Sequence, residues 1–225
     1  MRDKLEESIK SKAYWVLSRM KDMTVGEYDF IIAGGCLTGK VNDVDIFPVC
    51  AGDFEALAKD FERTGEVVGK TKNAVTYTAS PWPVQVCSYC RSTLGELVES
   101  FDYSHIKAGV LVEHDGFRNS IKEVYVSNDL VESRLTQTVR FTGSEYPLSS
   151  LIRVGKYYKR GAIGKGDYIG SVLGCVTAIV DRGFRGYDDF KDQLDAVDLG
   201  LLPEEMQGLC THEIGRLFAL LDRRC

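Results

Sequence analysis

The segment IIAGGCLTGKVNDVDIFPV, residues 31–49, contains two patterns that can each handle phosphate groups. Gly34 to Lys40 matches G-x-x-x-x-G-K, the phosphate loop in which a lysine and a helix N-terminus hold a nucleotide. Asp43 and Asp45 stand two residues apart in an apolar run, and in a β-strand this spacing puts both carboxylates on one face. The first pattern predicts a nucleotide cradle, and the second predicts a site for divalent cations.

The phosphate-loop pattern lacks the two features on which its chemistry depends. The residue after the lysine must be Ser or Thr to hold magnesium, and here it is Val41. The lysine must also open a helix, whereas the sequence VDIF, which follows almost at once, is typical of a strand. We therefore interpret Lys40 as a loop residue near the site and not as an essential phosphate clamp.

The carboxylate pattern agrees with its surroundings. Val44 and Ile46 alternate with the two aspartates and are expected to enter the core. Adjacent carboxylates repel each other and are costly unless a cation lies between them, and two divalent ions about 3.5 to 4 Å apart catalyse in-line attack on phosphate in many enzymes. Gly34 and Gly35 lack side chains, so the backbone there can approach a triphosphate closely. The alternative is a surface turn with two solvated acids.

Strands and helices that would position these residues are visible as hydrophobic patterns over the first part of the chain. Helical spacing predicts helices over residues 2–22, over GDFEALAKDFER and over TLGELVESF. The prolines between NAVTYTA and VQVCSYC predict a hairpin. Apolar runs predict strands in YDFIIAGG, VDIFPV, NAVTYTA, VQVCSYC, YSHIKAGVLV and SIKEVYVS. Residues 1–127 are therefore predicted to form a mixed α/β unit.

After residue 127 the patterns are helical, which predicts a helical domain over residues 128–225 and an α+β fold for the whole chain. The helical segments are YPLSSLIRVGKYYKRG, YIGSVLGCVTAIVDRG, YDDFKDQL and PEEMQGLCTHEIGRLFALLDRR. Five cations and no acid lie between Arg153 and Lys165. Such a run is either a solvated helix face or a surface for anionic ligands.

Composition narrows the classes of function. The net charge of −5 over 225 residues argues against non-specific coating of nucleic acid. No apolar run approaches the length of a membrane span, and the N-terminus MRDKLEESIKSKAY is charged where a signal peptide is apolar. Seven irregularly spaced cysteines fit a reducing compartment better than a disulfide framework. We therefore expect a cytoplasmic protein without membrane contact.

Several motifs, in order along the chain, resemble those of the DNA polymerase β-like nucleotidyltransferases. The glycine pair followed by DVDIF resembles their head motif, most closely in the CCA-adding and poly(A) polymerase branch and in small phage-type nucleotidyltransferases. ESFDYSHIKAG resembles a segment in which an aspartate opens a strand, and YPLSSLIRVGKYYKRGA resembles the basic helix that follows the head. The resemblance covers residues 28–161 and implies a catalytic head, with a mixed β-sheet flanked by helices, before the C-terminal helical unit.

The resemblance also implies an activity and a set of site residues. A nucleoside monophosphate would pass from a nucleoside triphosphate such as ATP to an acceptor hydroxyl, and pyrophosphate would be released. Asp43, Asp45 and Asp102 would be the catalytic carboxylates and would hold Mg²⁺ or Mn²⁺ ions, while Arg153 and Lys156 would contact the nucleotide. The acceptor stays open between an RNA 3′ end, a protein hydroxyl and a small molecule.

Two departures from the superfamily's motifs support a second hypothesis. Gly-Gly-x-Val-Arg-Asp is here Gly-Gly-Cys-Leu-Thr-Gly, so the Arg-Asp pair is missing, and Thr38 and Lys40 are the candidates to replace its nucleotide contacts. VQVCSYC carries Gln85 where a third acid is expected, which makes Asp102 the candidate third carboxylate. The second hypothesis is a nucleotidyltransferase-like protein that no longer turns over and serves in binding or interaction.

Overall fold

The computed structural model describes residues 1–20, 28–63, 65–71, 73–114 and 118–195. The chain divides into two compact units, Met1–Thr142 and Gly143–Cys225. The functional boundary that we predict after residue 127 stays a prediction. None of the described helices is long and apolar enough to cross a membrane.

A seven-stranded mixed sheet forms the centre of the first unit. The strands lie in the order β3-β4-β5-β2-β1-β6-β7. Among these described strands, β2 and β5 run parallel and every other neighbouring pair is antiparallel. Their bounds are β1 (Phe30–Ala33), β2 (Val44–Pro48), β3 (Val67–Lys70), β4 (Ala74–Tyr77), β5 (Val84–Cys87), β6 (Ala108–His114) and β7 (Asn119–Val126). The predicted α+β fold with a mixed sheet is confirmed.

Helices flank this sheet. Thr93 and Ser127 cap α4 and α5, since each hydroxyl accepts a hydrogen bond from the backbone N–H three residues later. The predicted helix over residues 2–22 is found as far as Arg19, and residues 21–22 lie outside the described residues. The bounds are α1 (Arg2–Arg19), α2 (Gly35–Thr38), α3 (Asp53–Glu62), α4 (Leu94–Glu99) and α5 (Asn128–Thr136).

The two faces of the sheet carry separate apolar clusters, and this separation decides where the aspartates point. Val44 and Ile46, both 0% exposed, belong to the larger cluster, which also contains residues of α1 and α3. Phe47 belongs to the smaller cluster, together with residues of α4. Because side chains alternate along a strand, Asp45 lies on the same face as Phe47 and α4. Burial of the two aliphatic neighbours therefore confirms the predicted alternation.

One strand prediction needs correction, and one strand was not predicted. Residues 103–107 of the predicted strand YSHIKAGVLV do not join the sheet: Ser104–Ile106 form a short 3₁₀ helix, and β6 begins at Ala108. Asp102 therefore does not open a strand of the sheet, although the resemblance implies that it does. The edge strand β3 was not predicted. Its two valines, Val67 and Val68, are adjacent and both exposed, so the strand shows no alternation of buried and exposed residues, and Gly69 follows them.

The second unit is helical where the structure describes it. It contains α6 (Pro147–Lys159), α7 (Lys165–Arg182) and α8 (Tyr187–Asp195). Arg182 links α7 to α8 through a bidentate ion pair with Asp189, in which both N···O distances are 2.7 Å. Gln193 of α8 donates to the carbonyl of Glu145, just before α6, at 2.9 Å. These helices confirm the helical pattern, and the segment PEEMQGLCTHEIGRLFALLDRR lies outside the described residues.

Candidate active site

A glycine turn ends β1 and faces the strand that carries the aspartates. Gly34 has φ +92° and ψ −148°, a conformation that residues with a Cβ rarely adopt, and its N–H donates to the carbonyl of Ala108 at 2.9 Å. A Cβ at Gly34 would lie 3.5 Å from Oδ2 of Asp45 and 3.9 Å from Cε2 of Phe101. At Gly35, by contrast, a Cβ would have no atom of the described residues within 4 Å, apart from those of its chain neighbours and of the α2 backbone. A side chain at the first glycine of the turn would therefore contact the Asp45 carboxylate, whereas the space next to the second glycine is open.

Both predicted aspartates lie within electrostatic range of the buried thiol of Cys36, next to this turn. Asp43 and Asp45 are both half-buried, and Asp45 is paired with Ala33 of β1. Burial is the main reason that the pKa of the Cys36 thiol is raised well above its usual range, and the negative charges of Asp45 and then Asp43 raise it further. Cys36 is thus a neutral thiol and not a nucleophile. The structure brings together the two acids that the sequence predicted.

Gln85 occupies the position beside Asp45 on the neighbouring strand. The parallel register of β2 and β5 pairs the two residues directly, so their side chains lie on the same face of the sheet. Nε2 of Gln85 donates to Oγ1 of Thr76 at 3.2 Å. This position therefore carries a neutral amide where the resemblance expects a third acid, and it adds no negative charge to the aspartate pair.

Asp102 lies outside the sheet, in the bend before the 3₁₀ helix, and is 4% exposed. Its backbone carbonyl accepts a hydrogen bond from the N–H of Thr142 at 2.8 Å, and the preceding Phe101 packs near Gly34. His105 lies within electrostatic range of Asp102: burial lowers the pKa of His105 to about 4, and the charge of Asp102 opposes that lowering. His105 is therefore neutral at pH 7. The sequence placed Asp102 near the site by resemblance, and its role as third carboxylate stays a prediction.

The aspartate pair fits one kind of metal site. In the part of the chain that the structure describes, no three or more His, Cys, Asp and Glu side chains form a group that could hold a metal ion. Mg²⁺, however, is usually held by one or two carboxylates, and water and substrate phosphates complete its coordination. Asp43 and Asp45 are hard oxygen donors beside a glycine turn, so the donor set suits a cation that is bound together with phosphate.

Arg134 is a residue of this region that sequence reasoning missed. It lies on α5, and its Nη2 donates to the backbone carbonyl of Thr38, the last residue of α2. The positive charge of Arg134 also contributes to the lowered pKa of His105. Ninety-six positions separate Arg134 from Thr38 along the chain, and no local pattern links them. The predicted loop residue Lys40 is exposed and lies between α2 and β2.

Arg153 and Lys156 lie on α6 in the second unit, where both side chains are half-buried. They fall three positions apart and therefore on neighbouring parts of one helix face. Their contact with a nucleotide stays a prediction.

Comparison with known protein families identifies the relatives of this chain. The model of the family described as "Gad2: Gabija anti-defense 2 family protein" matches residues 7–136. The chain belongs to the Gabija anti-defense 2 (Gad2) family. The matched residues of this Gad2-family chain include the glycine turn, the aspartate pair, Gln85, Asp102 and Arg134. No curated protein matches the chain.

Solved structures that resemble the Gad2-family chain include tRNA-processing enzymes, at low identity. The Thermotoga maritima CCA-adding enzyme complexed with tRNA is 14% identical with a TM-score of 0.48, and the match covers 98% of this chain and 53% of that one. A complex of CCA-adding enzyme with CTP is 14% identical with a TM-score of 0.48, over 88% of this chain and 51% of that one. The Bacillus stearothermophilus CCA-adding enzyme in complex with CTP is 16% identical with a TM-score of 0.40, over 68% and 38%. The Gad2-family chain spans about half the length of the first two.

Proposed function

We propose that this chain is a metal-dependent nucleotidyltransferase of the DNA polymerase β-like type. It transfers a nucleoside monophosphate from a nucleoside triphosphate, ATP among them, to an acceptor hydroxyl and releases pyrophosphate. The observation that carries the proposal is the approach of Gly34 to the carboxylate of Asp45, at 3.5 Å from the position of a Cβ. The antiparallel pairing of β1 and β2 produces this approach, because it places the end of one strand against the start of the other.

The residues of the proposed head, 1–127, have separate tasks. Gly34 and Gly35 let the phosphates approach the backbone, and Thr38 and Lys40 border the same loop. Asp43 and Asp45, with Asp102 as the proposed third carboxylate, would hold Mg²⁺ or Mn²⁺. When bound, the metal neutralises charge on the triphosphate and lowers the pKa of the acceptor hydroxyl. The helical domain, 128–225, would contribute Arg153 and Lys156 to the nucleotide.

The family description suggests the setting of this activity. The name Gabija anti-defense 2 implies that members of the family counteract a defense called Gabija. We propose that this chain fulfils that role by nucleotidyl transfer. The acceptor is an RNA 3′ end, a protein hydroxyl or a small molecule.

A second candidate function is supported by Gln85. Its neutral amide is paired with Asp45 across β2 and β5 and adds no third carboxylate to Asp43 and Asp45. A chain with this site could bind a nucleotide or a partner protein without turnover. The retained aspartate pair argues for the first candidate, because two neighbouring carboxylates repel each other when no cation lies between them. The first candidate requires both nucleotide binding and transfer, whereas the second requires no transfer.

Two measurements test the proposal in sequence. Nucleoside triphosphate with Mg²⁺ at a hundredfold excess over its Kd should stabilise the protein by about 2.7 kcal/mol in a thermal unfolding experiment. The protein is then incubated with each labelled triphosphate and with RNA, small hydroxyl compounds or Gabija proteins as acceptors. Label that appears in an acceptor supports the transferase. Binding without label in any acceptor supports the second candidate, and the absence of both nucleotide binding and label contradicts the transferase.

Lys40→Ala should lower transfer by no more than about tenfold, or roughly 1.4 kcal/mol. The physical reason is that Lys40 is exposed in a loop that enters a strand, so no helix N-terminus accompanies its charge. The measurement is kcat/KM for the preferred triphosphate. A loss as large as that of an aspartate variant would restore the phosphate-loop interpretation.

Arg153→Ala should mainly weaken nucleotide binding. Removal of one charge-assisted contact is expected to cost about 1.5 to 3 kcal/mol, and the loss should appear in KM more than in kcat. Kinetics over a Mg²⁺ series would measure both constants, with Lys191→Ala on α8 as the control for loss of one positive charge in the same unit. An unchanged KM for every triphosphate would mean that α6 is structural.

A further inference from the structure

The glycine turn lacks an arginine that the resembling motif places within it. In Gly-Gly-x-Val-Arg-Asp the arginine is the fifth residue, and the fifth residue here is Thr38. A threonine has no positive charge, so the turn itself offers no guanidinium to a triphosphate. A guanidinium nevertheless lies beside this residue, because Arg134 of α5 donates to the backbone carbonyl of Thr38.

Two interactions locate the Arg134 side chain within the first unit. Its Nη2 bonds to the end of α2, and its charge acts on His105 in the 3₁₀ helix. The 3₁₀ helix and α2 are themselves in contact, as are the 3₁₀ helix and α5. The guanidinium therefore lies where α2, α5 and the 3₁₀ helix meet, on the loop that leads from Gly34 to Asp43.

The charge of Arg134 is not balanced by a carboxylate, unlike that of its cationic neighbours. Lys107 is paired with Asp129 at 2.9 Å and with Glu99 at 3.3 Å, and Arg140 is paired with Glu132 at 2.8 Å. Within the described part of the chain, Arg134 has no ion pair, and its one hydrogen bond is to Thr38. A guanidinium has five N–H donors in a planar fork that matches phosphate oxygens, so four donors stay available to an anion.

We propose that Arg134 is a ligand of the nucleotide's phosphates, supplied by α5 in place of the arginine that is missing at residue 38. The inference rests on the proposed function, since it names the cation that the triphosphate meets in that site. Its alternative is a purely structural task, in which Arg134 caps the C-terminal carbonyl of α2 and contacts no ligand. The two tasks differ in what they predict for ligands with different numbers of phosphates.

The test compares Arg134→Ala and Arg134→Lys with the full-length protein by isothermal titration calorimetry in the presence of Mg²⁺. The ligands are a non-hydrolysable nucleoside triphosphate and the matching monophosphate. Arg63→Ala is the matched control, because Arg63 is an exposed arginine whose ion pair is with Asp60 of α3. Arg134→Ala should lower the affinity for the triphosphate roughly ten- to hundredfold, because charge-assisted contacts are lost. The affinity for the monophosphate should fall by about threefold or less. Arg134→Lys should recover part of that loss, and Arg63→Ala should bind as the parent does.

Three outcomes overturn the inference. Equal weakening of both ligands by Arg134→Ala, together with a lower melting temperature, means that the residue only caps α2. Unchanged triphosphate affinity in Arg134→Ala, while the parent binds tightly, rejects the inference and leaves the proposed function intact. Absence of triphosphate binding by the parent protein rejects both. Arg134→Lys keeps the comparison valid if the alanine variant does not fold, because it retains the charge and a donor for the Thr38 carbonyl.

Discussion

Asp45→Asn is expected to abolish nucleotidyl transfer and to leave the fold intact. The amide keeps the shape of the carboxylate but removes the charge that a hard divalent cation requires, so the loss should reach at least about a thousandfold, or ~4 kcal/mol. Asp43→Asn should have a similar effect, since both acids act on Cys36 and therefore lie together. Without metal, each variant should be as stable as the parent or slightly more stable, because one of two repelling charges is gone.

An assay of labelled monophosphate transfer tests the expected loss of activity. Thermal unfolding in the presence of a chelator tests the expected stability without metal. Glu113→Gln is the matched control, because it makes the same carboxylate-to-amide change at an exposed residue of β6 that is paired with Lys122. The control should retain activity. Activity that survives in both aspartate variants contradicts the metal-dependent mechanism, and loss of folding in either would assign that aspartate a structural role.

Gly34→Ala is expected to lower both stability and transfer. A Cβ at this residue meets a positive φ of 92°, and the strained backbone should cost about 1 to 3 kcal/mol of unfolding free energy. The new methyl group would also lie beside the Asp45 carboxylate and would fill the space between this carboxylate and the glycine turn. We therefore expect a fall in kcat/KM of at least about a hundredfold, which corresponds to ~2.7 kcal/mol.

Gly35→Ala is the control for the stability measurement. Its Cβ would enter open space, and its backbone has no positive φ, so the unfolding free energy should change by less than about 0.5 kcal/mol. Denaturant unfolding of the two variants measures the difference between them. Equal stability of Gly34→Ala and Gly35→Ala would mean that the turn relaxes at no cost and does not require a glycine at its first position.

The sequence by itself determined the parts of the site that depend on local geometry. Alternation of buried Val44 and Ile46 with the aspartates follows from the two-residue period of a strand. Apolar runs made the strands around the glycine turn predictable, and the prolines after β4 indicated the hairpin of β4 and β5. The 3.6-residue period made α1, α3, α6 and α7 predictable. The argument against a phosphate loop was also local, because it needed only Val41 and the strand that follows.

The tertiary structure decided where the residues that are distant in sequence lie. The pairing of Gln85 with Asp45 depends on the register between two parallel strands, and a register is set by the packing of the whole sheet. Asp102 was expected at the start of a strand. Its segment instead forms a bend and a 3₁₀ helix, and the strand β6 begins only at Ala108. The meeting of Arg134 with Thr38 joins residues 96 positions apart. Contacts of this kind arise only when α5 packs against the 3₁₀ helix, and no period along the chain encodes them.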